Sequence, residues 1–267
     1  ALGRELGVRY ALTGSVRRAG PSLRITAELV DAASGRQLWG DKYAGTLDDV
    51  FDVQERVSRE IVRALDVTLS ADEDRRLADR PVSDPRAFEL YLRAREELRR
   101  LGPSIARGAE LLRRAIAIEG ETPVFRAYRA MVTVAHVRMG LAGARADLGH
   151  AKAEARAVIA ARPDAAYGYS LLGFIGYEEG ELREAVQALR AALERDPSDP
   201  DAHFYLGISL IAAGQQDEAL AVSRRFVTAD PLSPFAQMLA GVATWFAGRA
   251  EDGLSFLRRA LELEPEG

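Results

Sequence analysis

Three interleaved series of residues recur at intervals of 34: Pro163, Pro197, Pro231 and Pro265; Gly173, Gly207 and Gly241; Gly180, Gly214 and Gly248. One shared period in that size range is the mark of stacked structural repeats. Each series has a physical job. The 173/207/241 glycines fall inside helical patterns, where glycine costs about 1 kcal/mol relative to alanine. Repeating that cost at one register implies a point where a neighbouring helix comes too close for a Cβ. The 180/214/248 glycines stand where a first helix must stop, and glycine enters the left-handed conformation cheaply there. Ala185 and Ala219 follow, small enough for a second helix to fold back closely. The prolines end that second helix by disfavouring helical backbone at the preceding residue. The unit is two antiparallel helices, which cannot bury their apolar faces alone, so successive units are expected to stack into a right-handed superhelix with one continuous core.

This helix–turn–helix pattern resembles the tetratricopeptide repeat. In that family's pattern Leu172-Gly173, Leu206-Gly207 and Ala240-Gly241 hold the seventh and eighth positions, and Ala192 and Ala260 the twenty-seventh. Gly253 stands where the twentieth-position alanine belongs and Phe226 stands at position twenty-seven, departures that predict locally altered packing. Two earlier, degenerate pairs are expected at Ala87–Leu101 with Ser104–Ile118, split by Gly102-Pro103, and at Pro123–Met139 with Leu148–Ala161, joined by the connector Gly140–Asp147. That makes five pairs.

The first 46 residues read differently. They carry seven basic and four acidic side chains, a net of +3, against −7 for the rest and −4 for the whole. Their apolar period is two: Val8, Tyr10, Leu12 and Val16 in one run, Leu23, Ile25, Ala27 and Leu29 in a second. Turn residues at 19–22 and 32–35 separate these from a third run, Gln37–Tyr43, predicting a three-stranded antiparallel meander. Thr46-Leu47-Asp48-Asp49 then loosely fits a capping box, and Val50, Val53, Val57, Ile61 and Leu65 make one helical stripe to cover a sheet face. Ser70–Asp84, with Pro81 and Pro85 at its end, reads as a linker. The expected fold class is mainly α: an α-solenoid of about five tetratricopeptide-like hairpins (85–267) preceded by a small α/β unit (1–69) and a linker (70–84).

The stretch Glu5–Tyr43, with its Leu12-Thr13-Gly14-Ser15-Val16-Arg17-Arg18 and Arg24-Ile25-Thr26-Ala27 strings, followed by Asp48–Leu65, resembles the later half of a TolB amino-terminal-like domain. That resemblance implies a bacterial signalling protein. The same pairing with tetratricopeptide repeats occurs in adenylate cyclases, serine/threonine kinases and CadC-like regulators. The absence of a starting Met and of the family's first strand and helix elements gives the expectation of a piece of a longer chain.

Composition excludes several chemistries. With no cysteine there is no disulfide, thiolate metal site or thiol nucleophile. No apolar run approaches the roughly 18 residues of a membrane span. The acidic balance argues against nucleic acid. Of 36 basic residues only Lys42 and Lys152 are lysine, an arginine excess suited to ion pairs between packed helices. No phosphate loop or kinase signature occurs. Ser15 lies mid-strand, and His136, His150 and His203 have no second ligand at helical spacing. Glu96-Glu97, Glu178-Glu179 and Asp72-Glu73-Asp74 read as solvated charge, and the glycine-rich Gly140–Gly149 as a plain loop. No catalytic residue, cofactor or metal is expected.

What remains is a surface. The repeat family lines its concave face with the second, fifth, ninth, twelfth and thirteenth positions of each first helix. Carried over, these positions give Tyr167, Ser170, Phe174, Tyr177 and Glu178; then Asp201, Phe204, Ile208, Ile211 and Ala212; then Phe235, Met238, Val242, Trp245 and Phe246. The aromatic and larger aliphatic members, eleven residues without Ala212, form the candidate partner-binding face, which reads as almost uncharged and suited to an amphipathic helix or extended apolar peptide. Trp245 and Phe246 are its expected anchors. The alternatives are cover by internal packing or by another part of the parent chain, and a misassigned register; self-association is a further partner mode. The functional expectation is a non-catalytic interaction or sensory region. The competing one is a regulatory segment of a larger kinase or cyclase. The compartment expected is the cytoplasm, or the periplasmic side of an anchored parent.

Overall fold

The structure is a computed structural model of the 267-residue chain and describes residues 8–20, 22–99 and 104–264. Gly102-Pro103 and Pro265 lie outside the described residues, as does the side chain of Asp72. The chain divides into two compact units, 1–89 and 90–267.

In the first unit, β1 (Tyr10–Ala19), β2 (Ser22–Asp31) and β3 (Gln37–Thr46) form an antiparallel sheet in the order β1-β2-β3. Between β1 and β2 the register pairs Leu12 with Leu29 and Val16 with Ile25, and the β2–β3 pairing has an irregularity at Leu29/Val30. Helix α1 (Val50–Ala64) packs against β3. Ala27, Leu29, Tyr43, Phe51 and Val53 are buried, whereas Leu12 and Val16 on β1 are exposed. One helix about 10 Å wide covers about two strands spaced 4.8 Å apart, which leaves the third strand's apolar side chains uncovered. At the entry to α1 only the reciprocal half of the capping box forms: the Thr46 amide and hydroxyl both donate to Asp49 Oδ2, at 2.7 and 2.8 Å.

The segment 70–84 contains a helix, α2 (Ala71–Ala78). A full capping box starts it: the Glu73 amide donates to Ser70 Oγ and the Ser70 amide to Glu73 Oε2. Arg59 of α1 bonds Asp74, and Arg80 bonds Asp52 at 2.6 Å, so charge ties the segment to α1. Phe88, in the first turn of α3 (Pro85–Arg99), meets the Phe51 ring edge-on at 5.0 Å.

From α3 onward every described element is helical: α4 (Ser104–Glu119), α5 (Pro123–Arg138), α6 (Leu148–Ala161), α7 (Ala166–Glu179), α8 (Leu182–Arg195), α9 (Pro200–Ala212), α10 (Gln216–Ala229), α11 (Pro234–Phe246) and α12 (Ala250–Leu263). These make the five expected pairs; the bounds expected for the first two agree within two residues, except that Leu101, the expected end of the first helix, lies outside the described residues. One core runs from α5 to α11, with Val158, Leu171, Leu189, Leu210, Ala219 and Leu239 among its fully enclosed members, and a smaller cluster of Leu98, Ile105 and Ala135 joins α3 and α4 to α5.

The glycine series do what their spacing predicts. A Cβ on Gly173 would lie 2.4 Å from Leu189 Cγ, and one on Gly207 2.4 Å from Leu239 Cδ1. Gly180, Gly214 and Gly248 all take positive φ, between +74° and +80°. The two departures from the repeat pattern also find their reasons. Phe226 is buried, with the His203 ring stacked on it at 5.0 Å. Gly253 faces Gly241, whose carbonyl oxygen would be 2.8 Å from any added Cβ, so α11 and α12 meet backbone to backbone.

Candidate partner-binding groove

The first helices of the pairs are α3, α5, α7, α9 and α11, and the last three carry the residues assigned to the inner face. Helix α9 shows how the sequence positions them: Pro200 opens it and the Asp199 side chain caps it, accepting from the Asp201 and Ala202 amides at 3.0 and 3.2 Å. Ser233 caps α11 in the same way through the Ala236 amide. Each cap sets where its helix begins, and hence the rotation of the face.

The structure sorts the eleven candidates into three groups. Trp245 and Phe246 are exposed, at 49% and 58%, while Met238 and Val242 are partly covered. Tyr167, Tyr177, Phe204, Ile208, Ile211 and Phe235 are partly buried and pack against the core. Phe174 is 2% exposed and offers no surface to a partner. The cause is Tyr205, whose ring lies 4.0 Å from that of Phe174 and also meets Tyr177 and Phe204 edge-on. Tyr205 is the sixth residue of its repeat, turned toward the preceding pair, and the positions carried over from the repeat pattern omit it.

The face also carries more charge than its apolar reading allows. Arg99 bonds the Asp201 carboxylate through Nε, at 3.1 Å to both oxygens. The Arg95 guanidinium lies 5.7 and 5.8 Å from the ring centres of Tyr91 and Tyr128, and Arg138 5.5 Å from that of Tyr205. These arginines come from the degenerate pairs, which carry no repeat markers to set a register. The four-residue spacing of Tyr91, Arg95 and Arg99 on α3 is the available signal. Burial pushes the Asp199 carboxyl above its usual range, Asp201 beside it adds to the rise, and the hydroxyl of Ser170, donating at 2.8 Å, opposes it. Glu178, expected to be solvated, is also raised by burial, against the pull of Arg138 and Arg145. Its neighbour Glu179 accepts from Lys152 at 2.6 Å. The cavity beneath Asp199 and Asp201 measures about 20 Å³, about enough for one water.

Among the described residues no group of three His, Asp or Glu side chains converges as a metal site, and no helix is long and apolar enough to cross a membrane. His203 is engaged structurally, its Nε2 2.9 Å from the Pro197 carbonyl oxygen.

A stacked helical-repeat scaffold of this kind, with an aromatic inner face, is the architecture of a protein-interaction module. Residues 141–200 and 177–234 match the tetratricopeptide-repeat family model, so the chain carries tetratricopeptide repeats. A 95-residue stretch is 47% identical to Putative adenylate cyclase 3 of Rhizobium meliloti (strain 1021), taking in 36% of this chain and 16% of that protein. The chain thus spans about a sixth of that relative's length. Among solved structures, TTC0263, a thermophilic TPR protein in Thermus thermophilus, superposes with a TM-score of 0.52 at 17% identity, over 67% of this chain and 92% of that one. YrrB, a TPR protein with an unusual peptide-binding site, gives 0.42 at 19% identity, over 74% and 94%.

Proposed function

We propose that the chain is a non-catalytic interaction region whose partner, an apolar or amphipathic peptide segment, docks at the last two first helices, α9 and α11. The observation that carries this is the adjacent exposure of Trp245 and Phe246, continuous with the partly covered Met238 and Val242. Large aromatics of this kind supply most of the energy at peptide interfaces. Selection of a random 12-residue peptide library on phage, using the full chain as bait, tests it. Enriched clones should lose binding to the W245A/F246A double variant. Clones that bind wild type and variant alike would overturn the reading.

The likeness to a segment of an adenylate cyclase supports a second, compatible reading: the region regulates an effector carried elsewhere in a longer protein. Phosphotransfer and cyclase assays on this chain are then blank. The meander and α1 support reading residues 1–69 as the later half of a TolB amino-terminal-like domain, with the repeats beginning at residue 85.

A further inference from the structure

The inner face is shut along one half and open along the other. Arg99, in the last turn of α3, belongs to pair one, and Asp201, in the first turn of α9, to pair four; 102 residues separate them. Besides its two Nε contacts, the guanidinium places Nη2 3.1 Å from Asp201 Oδ2, so both carboxylate oxygens are engaged. The two side chains are only 27% and 28% exposed, which limits screening by water and salt. Two first helices, α5 and α7, lie between α3 and α9 in the chain. With the α9 side chains they bound the 20 Å³ cavity, so no peptide enters there. One turn earlier on α3, Arg95 covers Tyr128 from the same side. Among the described residues no comparable contact is found at the α11 end, where Trp245 and Phe246 stand exposed.

We propose that Arg99 and Asp201 form an ionic clasp that holds the first helices of pairs one and four together and keeps the amino-terminal half of the groove closed. An apolar seam would persist whatever the charges. A bidentate charge pair is directional and opens when either partner loses its charge, because the partner left behind gains more from water than from a partly buried site. Opening would add the α5 and α7 faces to the surface a peptide can reach. That last consequence rests on the groove reading above, whereas the clasp does not.

The absence of cysteine makes the test direct. The full chain carrying Leu92→Cys and Ala213→Cys, both at exposed positions on α3 and just after α9, is spin-labelled and its label-to-label distance distribution is measured by pulsed electron resonance. The expected result is one narrow distribution that lengthens and broadens in D201N and in R99Q, and that returns toward the original in the charge-exchanged R99D/D201R. Circular dichroism confirms the helices in each variant. Unchanged distributions in both single variants overturn the clasp. So does a lengthening that charge exchange fails to reverse, since the effect would then belong to packing. No partner is needed, so the outcome is independent of whether the groove binds peptide.

Discussion

The rings of Phe174 and Tyr205 lie 4.0 Å apart, centre to centre, at 32° to one another, joining the first helices of two successive pairs. Tyr177 and Phe204 close on the same ring, at 5.9 and 6.0 Å. Aromatic side chains that would have lined an open channel thus form a seam between repeats. The accessible remainder moves toward the carboxyl-terminal pair. Replacing Tyr205 by Ala should cost about 3–5 kcal/mol in chemical denaturation, in the range of large aromatic deletions from cores. Tyr205→Phe should cost far less, because stacking rather than the hydroxyl holds the seam.

Trp245 should behave as a hydrated side chain. Trp39→Phe leaves it the only tryptophan of the chain. Its emission should then be red-shifted and readily quenched by acrylamide. W245A should change stability by less than about 0.5 kcal/mol, as surface substitutions do. Blue-shifted, protected emission would mean that chain covers it.

Gly207→Ala should destabilise despite the better helix propensity of alanine. The added methyl falls 2.4 Å from Leu239, and overpacking of this kind costs about 1–3 kcal/mol. Adding Leu239→Ala should recover part of the Gly207→Ala loss in a double-mutant cycle. Additive effects would show that the close approach does not set the requirement for glycine.

Asp199 gives a signed pH response. Its folded carboxyl titrates above the ordinary value of 3.8, chiefly because it is buried. The folded state therefore holds this proton more tightly than the unfolded state does. The contribution to stability rises as pH falls through the folded value toward 3.8 and is lost as pH climbs back. Asparagine keeps the helix cap. The stability of wild type relative to D199N should accordingly increase on acidification, read by urea titrations at several pH values. A flat difference would mean that the carboxyl is not desolvated.

Lys152 joins pair two to pair three. Its ammonium lies 2.6, 2.5 and 3.6 Å from Glu179, Glu181 and Glu184, and the hydrogen bonds it donates to the first two raise its pKa. The raised value keeps the contribution intact through neutral pH, with loss only in strong alkali. Lys152→Met should cost up to about 1 kcal/mol, since the acids are partly solvated. It should also make stability more responsive to added salt, which screens the three carboxylates left behind.

What can be read from the chain alone follows the range of the interactions. Helix pairs, turn glycines and the meander depend on neighbours within about one repeat, and Gly173, Gly180 and Leu29 fall where their patterns place them. The helix at 71–78 is hard to see in the sequence because its shortness and polar content hide the Ser70/Glu73 cap. The seam at Tyr205 and the Arg99–Asp201 pair depend on how successive pairs curl. Pairs one and two lack the glycine markers that set a register, so Arg95, Arg99 and Tyr128 have no assignable place in the pattern. Phe174 stands on the helix face its register gives, yet beneath Tyr205.

Gly253 leaves room for only main chain between α12 and α11, and an added Cβ there would also stand 3.2 Å from the Trp245 nitrogen. The main chain that carries the indole is therefore seated against peptide groups, which have no rotamers to exchange. Sequence drift among the surrounding side chains can alter what the ring touches without moving the backbone it hangs from, whereas one methyl at residue 253 would push α11 and α12 apart at that point.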